Sequence, residues 1–110
     1  VILGRMRHVH LAGIGGAGMC GLAEILLGHG LTVSGCDLQT SERTDRLSQL
    51  GAAISLGHDP SHLDGVDALV VSSAVASSAP ELVHAVQLGI PVVRRAELLA
   101  EVLRLHHGIA

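Results

Sequence analysis

Near the start of the chain, Gly13-Ile14-Gly15-Gly16-Ala17-Gly18 has the spacing G-x-G-x-x-G. The chemistry open to such a loop is the holding of a diphosphate. It asks for a tight turn, a backbone that meets the ligand without a Cβ, and a helix packed close on a strand, and glycines at this spacing supply them. The helix that follows turns unsatisfied N–H groups and the positive end of its dipole toward the anion. The dipole adds only about 0.3–1 kcal/mol per charge at an exposed site, so direct N–H bonds must supply most of the hold. Asp37 ends the next apolar run. A carboxylate there accepts hydrogen bonds from ribose hydroxyls and disfavours a 2′-phosphate, unless it merely caps a turn. Ser72-Ser73 can meet a sugar or phosphate or simply form a turn, and Arg94-Arg95, the one basic doublet, can counter an anion or start a solvated helix.

Other chemistries find less support. The sequence has eight histidines, and His58 and His62 stand one helical turn apart with Asp59 between them. Pro60 interrupts that turn and no third ligand has metal-site spacing, so no metal site is expected. There is no nucleophile–base arrangement and no G-x-x-x-x-G-K-[ST] loop, so no catalytic residue is expected in this chain. Cys20 and Cys36 form no C-x-x-C pair and no disulfide framework; they read as reduced thiols in small apolar roles, in a cytoplasmic protein.

Composition narrows the partners. The chain is 48% hydrophobic but has no Phe, Tyr or Trp, so its core must be aliphatic and no ring can stack on a base. The net charge is -3 and all seven basic residues are arginine, a balance that argues against nucleic acid. No apolar run approaches the roughly 20 residues of a membrane span, so no membrane partner is expected. Val1–Arg7 is too short for a signal peptide.

The elements that must position these residues follow from periodicity and punctuation. Strands are predicted at 8–13, 31–36 with Asp37 at its carboxyl end, 52–56, 67–72 and 91–93; helices at 18–28, 42–50, 80–88 and 96–105. Thr40-Ser41-Glu42 supplies a helix N-cap, Gly28-His29-Gly30 and Gly51 are stops, and Pro80 suits a first helical turn. Ala68-Leu69-Val70-Val71 is apolar without a break, as in a sheet covered on both faces. Strands alternating with helices predict an α/β, Rossmann-like, doubly wound parallel five-stranded sheet of order 3-2-1-4-5 with helices on both faces. The ligand crevice would lie where strands 1 and 4 diverge at their carboxyl ends. Residues 1–110 are read as a single domain with an ordered core over about 8–105. The chain starts without Met, and Gly108-Ile109-Ala110 reads as the opening of a further strand, so a domain cut from a longer protein is expected.

Several blocks together resemble one family. These are Gly13-Ile14-Gly15-Gly16-Ala17-Gly18-Met19, Val33-Ser34-Gly35-Cys36-Asp37, Gly57-His58, Val71-Ser72-Ser73-Ala74-Val75, Pro80-Glu81 and Val92-Val93-Arg94-Arg95-Ala96-Glu97-Leu98-Leu99. The pattern resembles the N-terminal domain of the UDP-N-acetylmuramate–L-alanine ligases of peptidoglycan synthesis, and also a close relative that attaches recycled peptide to UDP-N-acetylmuramate. The resemblance implies that Gly15, Gly16, Ala17, Gly18 and Met19 bind the diphosphate and that Asp37 holds the uridine at its ribose. It implies that His58, Ser72, Ser73 and Ala74 line the uracil and sugar side, and that Arg95 reaches the phosphate or sugar. Ligation belongs to a central domain, where ATP and Mg²⁺ activate the muramoyl carboxylate as an acyl phosphate for attack by L-alanine; a C-terminal domain completes the enzyme. On this view the domain itself takes no cofactor. Cys20 and Cys36 stand where serine is expected, and Ser78 where asparagine is expected; the cysteines weaken hydrogen bonds without removing the site. The residues of the loop and Asp37 equally suit the cofactor domain of an NAD-dependent oxidoreductase, while a stand-alone nucleotide sensor is a third class.

Overall fold

The computed structural model describes residues 7–57, 63, 65–72 and 80–109, with only the backbone at 17, 80, 81 and 105–109. Strands β1 (His8–Ala12), β2 (Thr32–Asp37), β3 (Ala53–Leu56), β4 (Ala68–Val71) and β5 (Val92–Arg94) alternate with helices α1 (Ala17–Gly28), α2 (Glu42–Gln49), α3 (Pro80–Leu88) and α4 (Arg95–Ile109). All strand pairings are parallel and the sheet order is β3-β2-β1-β4-β5, as the sequence predicts.

Alternation along the strands sorts the core into two layers. Val9 and Leu11 of β1 share one buried cluster with Leu22 and Leu26 of α1, Leu47 of α2, and Leu98 and Val102 of α4. On the other face Ala12, Cys36, Leu69 and Val71 pack with Ala85 of α3 and with Leu63. Helices therefore cover both faces, and β4 is buried along its whole length. One cross-strand fit ties the loop after β1 to β2. Ile14 is fully buried, and a Cβ on Gly35 would meet its Cδ1 at 2.5 Å and its Cβ at 2.7 Å. Gly35 is thus glycine because Ile14 occupies the space above it.

Polar groups fix the element ends. Ser41 caps α2: its Oγ accepts the Thr44 N–H at 3.3 Å, while Thr44 Oγ1 accepts the Ser41 N–H at 2.8 Å. Asp67 Oδ2 accepts the N–H groups of Arg7 and His8, each at 2.9 Å, and these two bonds hold the exposed Asp67 carboxyl below its usual range. His8 Nε2 and His10 Nδ1 both lie within hydrogen-bond distance of Ser34 Oγ, at 2.7 and 2.8 Å, which helps satisfy the buried His10 on the α3 side of the sheet.

The expected boundaries hold to within a residue or two, with one clear difference. β1 stops at Ala12 because Gly13 turns at φ +75°. Gly108 and Ile109, expected to open a strand, instead continue α4, as do His106 and His107. An apolar pair becomes a strand only beside a partner that takes its ladder bonds, and no strand among the described residues stands there; the helix satisfies the same groups locally. Ala110 lies outside the described residues.

Candidate functional site

The glycine loop is assembled from the strand outward. The N–H groups of Gly13 and Ile14 both donate to the Cys36 carbonyl, at 2.8 and 3.1 Å, so the turn is hung on the end of β2. The Gly16 N–H closes it by donating to the Gly13 carbonyl at 3.0 Å. α1 then starts with Gly16 as an extended N-cap that makes no side-chain cap, and no acidic residue stands in the first turn. The N–H groups of Ala17, Gly18 and Met19 have no acceptor within the helix. Met19 offers only that backbone group, because its side chain is buried in the core.

Asp37 stands over this loop. Its Oδ2 accepts the Gly15 N–H at 2.8 Å and its Oδ1 the Leu38 N–H at 2.7 Å. A Cβ on Gly15 would come within 2.6 Å of Asp37 Oδ2 and 3.2 Å of Thr44 Cγ2, so both β2 and the capped start of α2 press against this glycine. From the opposite side Arg95, half-buried at the first turn of α4, lies across Gly18. A Cβ there would be 3.0 Å from its Nε and 3.1 Å from its Cζ. Ser72 is half-buried directly after β4, on the same carboxyl edge of the sheet.

The structure therefore brings Gly15, Gly16, Gly18, Asp37 and Arg95 into one mouth, with Ser72 on its rim. Ala17 joins through its backbone. His58, Ser73 and Ala74 lie outside the described residues, although the Gly57 N–H donates to the Asp37 carbonyl at 2.8 Å, so the chain enters that segment from beside Asp37. Arg94 is exposed and belongs to the strand position after the buried Val93, turned from the loop side. The sequence reading missed Arg43. Its Nη1 donates to the Gly15 carbonyl at 3.4 Å from the first turn of α2. The signal was present: a helix capped at Ser41 must begin at the same sheet edge where Asp37 ends β2.

The gathered groups are N–H donors, a guanidinium on either side and one carboxylate, which can hold an anion joined to a hydroxylated ring. Among the described residues no three His, Cys, Asp or Glu side chains converge, and no helix is long and apolar enough to cross a membrane.

The sequence matches the Mur ligase family, catalytic domain, over residues 8–107. It is 51% identical over 107 residues to a UDP-N-acetylmuramate–L-alanine ligase of Persephonella marina, covering 97% of this chain but 23% of that protein. The crystal structure of a UDP-N-acetylmuramate-alanine ligase from Thermotoga maritima superposes with a TM-score of 0.85 at 30% identity, over 91% of this chain and 23% of that one. A UDP-N-acetylmuramate:L-alanyl-gamma-D-glutamyl-meso-diaminopimelate ligase from Neisseria meningitides gives 0.80 at 32% identity, over 87% and 31%.

Proposed function

The chain belongs to the Mur ligase family, and from that membership we propose that it binds the UDP part of UDP-N-acetylmuramate within an ATP-dependent UDP-N-acetylmuramate–L-alanine ligase of the cytoplasm. The observation that carries this reading is the meeting of Asp37 and Arg95 on the glycine loop, at Gly15 and Gly18. The loop N–H groups and Arg95 take the diphosphate, Asp37 the ribose, and Ser72 with Ser73, Ala74 and His58 the sugar and base. Family membership favours this reading over the oxidoreductase alternative.

In this reading the chain is the N-terminal domain of the ligase, and it orients the substrate for the central and C-terminal domains. Its own residues do not fit ATP and Mg²⁺: the sequence contains no lysine and no G-x-x-x-x-G-K-[ST] loop, so no chemical step is routed through them here. The second ligase, which joins a peptide instead of L-alanine, remains a reading of its own because the Neisseria structure is as similar in fold and identity. The two share the UDP site and differ in the amine. Calorimetry with UDP-N-acetylmuramate and with NADH tests the nucleotide assignment. Binding of the former and none of the latter is expected, and tighter binding of NADH overturns it. Turnover with L-alanine against the tripeptide then separates the two ligases.

A further inference from the structure

Two arginines of the described structure, Arg46 and Arg104, are paired with carboxylates. Arg46 Nε lies 2.9 Å from Glu24 Oε1, and Arg104 pairs with Glu101. At the glycine loop the pattern differs. Among the described residues neither Arg43 nor Arg95 has a carboxylate within ion-pair distance, and both guanidiniums lie against loop glycines. Arg43 is exposed, and its bond to the Gly15 carbonyl is long at 3.4 Å, so toward the described residues most of its N–H fork is uncommitted.

The strand order gives the two arginines different places. β2 and α2 lie on one side of the loop and β4, β5 and α4 on the other. Arg43 therefore stands on the side of Asp37, and Arg95 on the side of Ser72. If Asp37 takes the ribose, the phosphate bonded to that ribose comes to the Arg43 side. We propose that Arg43 is a ligand of the nucleoside-proximal phosphate and that Arg95 serves the distal one, so the pair sets which way round the diphosphate lies. The planar fork of a guanidinium suits this task, since it can bind two phosphate oxygens at once. The inference rests on the UDP reading above and adds to it a residue and a polarity.

The test is calorimetry of the full-length protein with UMP and with UDP, using Arg43→Gln, Arg43→Lys and Arg95→Gln. Arg43→Gln is expected to weaken UMP and UDP by the same factor, about tenfold for one charge-assisted contact at an exposed site. Arg95→Gln is expected to weaken UDP more than UMP, because UMP has no distal phosphate. Arg43→Lys, which keeps the charge but not the fork, falls between wild type and glutamine and serves if the glutamine variant fails to fold. Unchanged affinity of both nucleotides in the Arg43 variants, or a loss confined to UDP, overturns the proposal while leaving the UDP reading intact. A wild-type protein that binds neither nucleotide overturns both.

Discussion

Asp37 carries two relationships at once. Its carboxylate accepts the Gly15 N–H in the structure and, on the proposed reading, the ribose hydroxyls when nucleotide is present. Asp37→Ala should therefore weaken UDP binding by about 1.5–3 kcal/mol, the range for a charged hydrogen bond. Inorganic pyrophosphate, which has no ribose, should bind the variant no more weakly than wild type. Calorimetry with both ligands checks this, and equal losses for the two would move Asp37 out of the ribose role. At this scale the sequence was partly legible. The types and spacing of Gly13, Gly15 and Gly18 announce the tight turn between β1 and α1, and Asp37 the carboxylate that ends β2 beside it. Arg43 was legible only in part: the Ser41 cap and the strand order place the start of α2 at this sheet edge, but the contact of its side chain with Gly15 appears only in the structure.

The elements were readable wherever local chemistry decides them. Ser41 with Thr44 begins α2, and the unbroken apolar run of Ala68–Val71 announces a strand covered on both faces. Features that depend on strand register were not readable: the Ile14–Gly35 fit, and the shared contact of His8 and His10 with Ser34, exist only because β2 lies beside β1. The end of α4 was misread because Gly108 and Ile109 have the composition of a strand opening but, among the described residues, no strand to join. The register makes a prediction. Gly35→Ala forces a methyl into Ile14 and should destabilise the fold by about 1–3 kcal/mol, the usual cost of overpacking, read from a denaturant midpoint. The start of β1 makes another. Backbone bonds from Arg7 and His8 lower the Asp67 pKa, so this contribution is complete above the unfolded-state value and is lost as pH falls through the folded one. Asp67→Asn should be less stable than wild type near neutrality, with the gap closing on acidification. Denaturation midpoints across the acid range measure it, and a gap that widens toward low pH would count against the account.

For the whole molecule, the order β3-β2-β1-β4-β5 matters because connections leave β1 toward one edge and β4 toward the other. The crevice between their carboxyl ends receives Asp37 and Arg43 from one side and Ser72 and Arg95 from the other. A chain built this way can bind and orient, and the chain spans 23% of the Persephonella ligase it matches. The 110-residue chain alone, given UDP-N-acetylmuramate, L-alanine, ATP and Mg²⁺, should form no amide bond; release of inorganic phosphate dependent on L-alanine would contradict this. One feature of the mouth also shapes how a ligand enters. Because Asp37 already satisfies the Gly15 N–H, arrival is an exchange of acceptors and not the filling of an idle donor. A nucleoside that draws Asp37 to its ribose strands that N–H, and a bare phosphate that takes the N–H strands the carboxylate. Only a ligand with both parts completes the trade, so the ribose and phosphate halves should bind more tightly joined than their separate affinities imply.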